Sequence, residues 1–332
     1  MTRVAVVGAT GVVGREMLAV LEQRAFPVGE LRLLASPRSA GTTLSAFGRP
    51  HDVRPATPES FRGVDLALFS AGSEVSKALV PAARRAGALV VDNSSAFRMD
   101  PKSPLVVPEL NGDELAHHAG VVANPNCSTI LLCMALAPLH ARAALRRVLV
   151  CSYQAVSGAG AQALEELRLQ EQADLEGRGP QARVFPKVIA HNVIPWVQGL
   201  LPDGYSTEET KVRDETRRIL RVPALPVSAT CVRVPVLRAH SEAVHVELER
   251  AMEPAEAAAA WEAASGVKYW REGFPTPREA AGTDEVHVGR VRVDRAFEAG
   301  LALWCVMDQL RKGAALNAVQ IAERALGVGA CA

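Results

Sequence analysis

Short apolar runs alternate with helical stretches through the first half of the chain. Val4–Val7, Leu31–Ala35, Val64–Phe69, Ala88–Val91 and Val121–Ala123 are short, mostly aliphatic and bounded by turn residues, the pattern of strands buried on both faces. Between them, Val12–Arg24 and Glu74–Arg85 carry apolar residues at helical spacing. This strand–helix alternation predicts a doubly wound parallel sheet in an α/β fold.

The second half has another rhythm. Arg147–Val156, Val227–Val236, His240–Arg250 and Val286–Val293 are longer and alternate polar with apolar in part, as in a mainly antiparallel sheet with one solvated or partner-covered face. Helices over Ala161–Asp174, Glu208–Leu220 and Ala255–Ala264 would cover the other face. In Gly313–Leu326, residues Leu316, Val319, Ala322 and Leu326 share one side of an amphipathic helix that returns to the first domain. The predicted division is therefore residues 1–126 joined by a C-terminal helix at 309–332, and residues 127–308 as an α+β second domain.

Composition narrows the class. A chain of 332 residues exceeds one ordinary core and fits two domains. A net charge of +1 carries no footprint for nucleic acid or an anionic membrane. No apolar run approaches the roughly 20 residues that span a bilayer, and the first apolar run begins directly after Met1, Thr2 and Arg3. Cysteines at 127, 133, 151, 231, 305 and 331 show neither a disulfide framework nor zinc-like spacing. A cytoplasmic protein without a metal is expected.

Two segments carry chemistry. Val4–Val7 runs into Gly8-Ala-Thr10-Gly11-Val12-Val13-Gly14, a strand, a glycine-rich turn and a helix start, where backbone amides can approach a pyrophosphate. The spacing is G-x-x-G-x-x-G, not the common G-x-G-x-x-G. The second strand ends without the carboxylate that binds the ribose of NAD; Arg38 and Ser39 stand there instead, which suits the 2′-phosphate of NADP. The second segment is Asn124-Pro-Asn-Cys127-Ser-Thr, after a strand and before the apolar helix Ile130–Leu139. A helix N-terminus favours a thiolate, so Cys127 reads as a nucleophile. Cys133, Cys151, Cys231 and Cys305, in apolar contexts, read as small hydrophobes. For the partner base, His240 gathers with Arg238 and Glu242 at a turn between two strands, while His191, His245 and His287 stay open.

Taken together, Gly8–Gly14, Asp92-Asn-Ser-Ser-Ala-Phe-Arg98, Asn124–Thr129, Tyr153-Gln154-Ala-Val-Ser157-Gly158, Glu208-Glu-Thr-Lys211, Arg233-Val-Pro-Val-Leu-Arg-Ala-His240 and the closing Gly313–Glu323 resemble the aspartate-β-semialdehyde dehydrogenase family. The resemblance runs in order over nearly the whole chain. It implies a Rossmann-type NADP-binding domain and a catalytic and dimerisation domain. It also implies NADPH-dependent reduction of L-aspartyl-4-phosphate to L-aspartate 4-semialdehyde through a Cys127 thioester. That reaction serves lysine, diaminopimelate, methionine, threonine and isoleucine biosynthesis.

By the same resemblance His240 is the acid/base and Gln154 orients the thioester. Arg98 and Lys211 bind phosphate, Arg233 the carboxylate and Glu208 the ammonium. Ser157, Gly158 and Asn317 lie at the cofactor, and the protein is a homodimer or a dimer of dimers. Without the resemblance, Glu208 and Lys211 would read as an ordinary surface ion pair.

N-acetyl-γ-glutamyl-phosphate reductase shares the chemistry but takes an acylated amine, for which a free Glu208 is a poor match. Glyceraldehyde-phosphate dehydrogenase has another signature around its cysteine. A non-catalytic NADP-binding relative would have lost one of Cys127, Gln154, Arg233 or His240, and all four are present.

Overall fold

A computed structural model describes residues 1–328. The chain forms two compact units, residues 1–126 with those from Ala314 onward, and residues 127–313. Cys331 and the last residues of the predicted helix at 309–332 lie outside the described residues. Residues 309–313, expected with the first domain, belong to the second unit.

In the first unit the strands are β1 (Thr2–Val7), β2 (Val28–Ala35), β3 (Thr43–Ala46), β4 (Arg49–Pro55), β5 (Leu66–Phe69), β6 (Leu89–Asp92) and β7 (Val121–Ala123). They order as β3-β4-β2-β1-β5-β6-β7. All neighbours pair in parallel except the β3–β4 hairpin. Strand alternation sends Val4 and Val6 to one face, under helices α1 (Val12–Gln23) and α9 (Leu316–Leu326), and Ala5 and Val7 to the other, under α2 (Ser73–Arg85). A short helix α3 (Pro108–Asn111) lies between β6 and β7. The sheet is therefore covered on both faces, as the apolar runs predicted. The hairpin was not anticipated: most of β4 is exposed, so an edge strand of this kind carries no apolar signature.

The glycine turn closes tightly for a steric reason. Gly8 has φ +85°, and a Cβ on Gly14 would lie 2.2 Å from the Gly8 carbonyl oxygen.

The second unit holds helix α4 (Cys127–His140), β8 (Leu145–Gln154), α5 (Ala161–Leu175), α6 (Thr207–Ile219), β9 (Val227–Arg233) and β10 (His240–Leu248). These are followed by α7 (Pro254–Glu262), β11 (Val267–Tyr269), α8 (Pro277–Ala280), β12 (Val286–Asp294) and β13 (Gly300–Met307). The sheet order is β11-β12-β13-β10-β8-β9. Its central pairs are antiparallel, but β8–β9 and β11–β12 are parallel. The sequence pattern did not single out β13, a nearly uniform apolar run with no alternation to mark it. The alternation in β8 turns Cys151 outward, so it is exposed, unlike Cys133, Cys231 and Cys305, which are buried as expected. Among the described residues no helix is long and apolar enough to cross a membrane.

Candidate active site

Three of the predicted site residues meet at one end of the second unit's sheet, and strand direction is the reason. Parallel strands β8 and β9 end together, with Gln154 opposite Arg233. Strand β10 runs the other way and begins with His240, next to Ser241 opposite Tyr153. Cys127 opens α4, a helix buried on almost every side, so the thiol stands half-buried at its N-terminus.

Each side chain is held by specific partners. The Gln154 amide donates to Ser128 Oγ at 2.9 Å, to Ser152 Oγ at 3.2 Å and to Glu208 Oε1 at 3.3 Å. Glu208 is placed by a capping box at the start of α6. Ser206 Oγ accepts from the Glu209 amide at 3.3 Å, and Glu209 Oε2 accepts from the Ser206 amide at 2.6 Å. Glu209 also accepts from the Cys231 amide of β9 at 2.9 Å, which locks the helix to the sheet. Glu208 is only 2% exposed, and Lys211 stands 3.7 Å from it while donating to Gln198. This is no surface ion pair.

Arg233 is the electrostatic feature of the site. It is 6% exposed, donates to the Ala155 carbonyl oxygen at 2.6 Å and lies over the Phe185 ring, yet no carboxylate of the described residues comes within ion-pair distance. Burial pulls its guanidinium below the ordinary arginine value, against the neighbouring charges of Glu208 and Cys127. A buried cation without a counter-ion is costly, so the arrangement favours an incoming anion.

His240 is fully buried. Burial first, and Arg233 second, hold its imidazole well below the ordinary value, against a smaller opposite effect from the Ala239 backbone. A Cβ at position 158 would sit 3.1 Å from both Arg233 Nη1 and His240 Nε2, so Gly158 leaves that space open. The buried thiols of Cys133, Cys231 and Cys305 are pushed up by burial and stay protonated. The open alternatives resolve by position. His245 pairs with Asp294, His287 with Trp270 and Thr283, and His191 is exposed at Asp174.

Two residues were missed. Gln309, just beyond β13, donates to Ser157 Oγ and accepts from the Ala239 amide at 2.8 Å, tying the Ser157–Gly158 turn to the residue before His240. Ala239 has φ +74°, a strained conformation for a residue with a Cβ. The only trace in the sequence was a polar Asp308-Gln309 pair ending an apolar run. The other is Glu242, read as a turn residue but fully buried within β10.

Burial first, and the charge of Glu208 second, raise the Glu242 carboxyl well above its ordinary value of 4.5, and Oε1 has no partner. An acid whose folded pKa is raised favours the folded state at low pH. That advantage is lost as pH rises from 4.5 through the folded value. Glu242→Gln is therefore expected to stabilise the protein at neutral and higher pH, with the gain vanishing below about pH 4.5. Urea unfolding across pH checks this; a loss of stability at neutral pH would mean that Glu242 is ionised and paired.

In the first unit, Gly8, Thr10 and Gly11 line a cleft of about 500 Å³ together with Ser36, Val75 and Leu79. Val12, Val13 and Gly14 form the first turn of α1 behind it. A polar turn at a helix start beside an apolar wall could hold a dinucleotide. Arg38 is exposed and Ser39 half-buried in the turn after β2. Arg98 is buried, donating to the carbonyl oxygens of Asn124 at 2.9 Å and Asn93 at 2.7 Å. Asn317 is also buried; its amide donates to Val106 O at 2.9 Å and Asn124 Oδ1 at 2.7 Å. Among the described residues no group of three or more His, Cys, Asp or Glu side chains could hold a metal ion.

A doubly wound sheet with a glycine cradle, and a second unit with a thiol, an imidazole and an uncompensated guanidinium, define an oxidoreductase acting on an aldehyde group. The comparisons with known proteins agree. Residues 3–118 match the family described as semialdehyde dehydrogenase, NAD binding domain, and residues 136–312 match semialdehyde dehydrogenase, dimerisation domain. Aspartate-semialdehyde dehydrogenase of Aquifex aeolicus is 50% identical over 329 residues, covering 97% of both chains. The enzyme of that name from Synechocystis is 49% identical, covering 97% of this chain and 96% of its own. A solved structure of aspartate semialdehyde dehydrogenase II from Vibrio cholerae complexed with ASA superposes with a TM-score of 0.97 at 44% identity, over 98% of both chains. The chain belongs to the aspartate-semialdehyde dehydrogenase family.

Proposed function

We propose that the protein reduces L-aspartyl-4-phosphate to L-aspartate 4-semialdehyde with NADPH, through an acyl thioester on Cys127. The observation that carries the reading is the buried Arg233 without a carboxylate, in the electrostatic reach of both Cys127 and Glu208. An amino acid brings a carboxylate and an ammonium, and this unit offers one buried cation and one buried anion for them. Glu208 also separates the reading from N-acetyl-γ-glutamyl-phosphate reductase, whose acylated amine has no positive charge to offer it.

Cys127 attacks the acyl carbon and expels phosphate, which divides one hard step into two easier ones. Gln154 holds the acyl oxygen, Arg233 the α-carboxylate, Glu208 the ammonium, and Lys211 and Arg98 are the phosphate ligands. NADP, when bound, supplies or accepts the hydride. Gly8, Thr10, Gly11, Val12, Val13 and Gly14 would cradle its pyrophosphate, Arg38 and Ser39 its 2′-phosphate, and Ser157 and Gly158 its nicotinamide end. Asn317 contributes by steadying Asn124. The exposed face of the second unit's sheet, with Leu149, Tyr153 and Val293, supports a homodimer or a dimer of dimers.

An assay with phosphate, NADP and aspartate semialdehyde, run beside N-acetyl-glutamate semialdehyde, tests the substrate. Turnover of the acetylated compound alone would overturn the reading. For the cofactor, Arg38→Ala is expected to weaken NADP binding by about 2 kcal/mol and leave NAD nearly unchanged. Titration of both cofactors decides it, and equal losses would remove Arg38 from the 2′-phosphate site.

A further inference from the structure

We propose that the backbone amide of Ala155 holds His240 as a neutral imidazole protonated at Nε2, so that the ring serves the reaction as a fixed hydrogen-bond donor to the reacting oxygen and does not take the proton of Cys127. This deepens the proposed function, on which it rests for the identity of that oxygen.

The Ala155 amide nitrogen lies 3.0 Å from His240 Nδ1 with the geometry of a hydrogen bond. A backbone N–H can only donate, so Nδ1 must present its lone pair. Both forms with a proton on Nδ1, the other neutral tautomer and the imidazolium, would set two hydrogens against each other in a buried space. Of these, the imidazolium is further opposed by burial and by Arg233 from the neighbouring part of the sheet. The remaining form carries its proton on Nε2, and that nitrogen is buried without any acceptor in the protein. An orphaned buried donor asks for an acceptor from outside. Gly158 keeps the space beside Nε2 free, since a Cβ there would approach it to 3.1 Å. The ring's position is over-determined from the other side, because Gln309 holds the amide of Ala239 and Asp308 holds Arg238 at 2.6 Å.

The proton balance of the reaction allows this role. Cys127 loses its proton to solvent before the acyl group arrives. Attack of the thiolate on the acyl phosphate makes an oxyanion, which re-forms the carbonyl and expels phosphate; the departing phosphate oxygen takes one proton from water. After hydride reaches the thioester carbon, a second oxyanion re-forms a carbonyl and releases the thiolate. Neither oxyanion needs a proton to collapse, and both are stabilised by a fixed N–H. Ala155 is thus a positioning residue, acting through its main chain on the ring of His240.

The test is the nitrogen spectrum of the full-length protein labelled with ¹⁵N-histidine, with His240 assigned by its disappearance in His240→Gln. The expected result near pH 7 is a protonated Nε2 beside an unprotonated Nδ1, unchanged from about pH 8 to about pH 5, across the range where a free histidine titrates. The same glutamine variant places an amide near the Nε2 position. Its pH profile of kcat/KM is expected to keep the wild-type shape while kcat falls. A proton on Nδ1 at neutral pH, or a wild-type limb near pH 6.5 that vanishes in the variant, would overturn the proposal. The spectrum is recorded without substrate. A failed semialdehyde assay would therefore leave the tautomer standing, and a wrong tautomer would leave the substrate assignment untouched.

Discussion

Cys127→Ser is expected to leave the fold and NADP affinity intact and to lower turnover by about 10⁴-fold or more, the scale seen when a nucleophile is removed. The substitution is nearly isosteric at a half-buried helix start, so packing should survive. What disappears is the thiolate: a serine hydroxyl without an adjacent base is a far weaker nucleophile. His240 offers no such base here, since its Nδ1 accepts from Ala155 and burial opposes its protonation. Alkylation provides a second measurement. The buried thiols of Cys133, Cys231 and Cys305 are held protonated and should react slowly. Cys151 is the competitor to watch, because it is exposed on the outer face of β8. Iodoacetamide is expected to label Cys127 before any other cysteine, with activity lost in step. Inactivation that tracks Cys151 instead, or a serine variant as active as the parent, would remove Cys127 from the chemistry.

The second large effect is expected at Arg233. Truncating one member of a buried charge pair costs roughly 2–5 kcal/mol, so Arg233→Ala should lower kcat/KM for the semialdehyde by about 30- to 5000-fold. Arg233→Lys should recover little of this, because a point charge cannot reproduce a planar fork that also donates to Ala155 O and stacks on Phe185. Lys211→Ala, by contrast, should raise the KM for phosphate more than that for semialdehyde in the phosphorylating direction. Both anions sit on one small substrate, so each variant will disturb the other site; a misplacement of ~1 Å can cost about 100-fold. The deciding quantity is therefore the ratio of the two KM effects. Equal proportions in both variants would show that the two cations do not divide carboxylate from phosphate.

Much of this site was legible before any coordinates, because its signals are local. A glycine turn between a strand and a helix, and a cysteine among small polar residues at a helix start, are each contained within about two helical turns of chain. Alternating runs likewise announced both sheets. The edge hairpin at 43–55 failed to appear because an edge strand buries little and so needs no apolar pattern. Strand β13 failed for the opposite reason, a run apolar throughout.

What the sequence by itself determined was the order of elements, the doubly wound first sheet, the cradle at Gly8–Gly14 and the candidacy of Cys127. These follow from periodicity, backbone freedom and helix polarity, which neighbouring residues settle among themselves. Tertiary structure decided which residues act together. Gln154, Arg233 and His240 converge only because β8 and β9 run parallel while β10 runs against them. It also decided their charge states. Glu242 looked like one acid of a polar turn, and burial makes it a neutral side chain inside a strand. His240 was one histidine among several candidates, and the Ala155 amide gives it a defined tautomer. Desolvation and hydrogen-bond direction depend on groups distant in sequence, so no reading of neighbours along the chain could supply them.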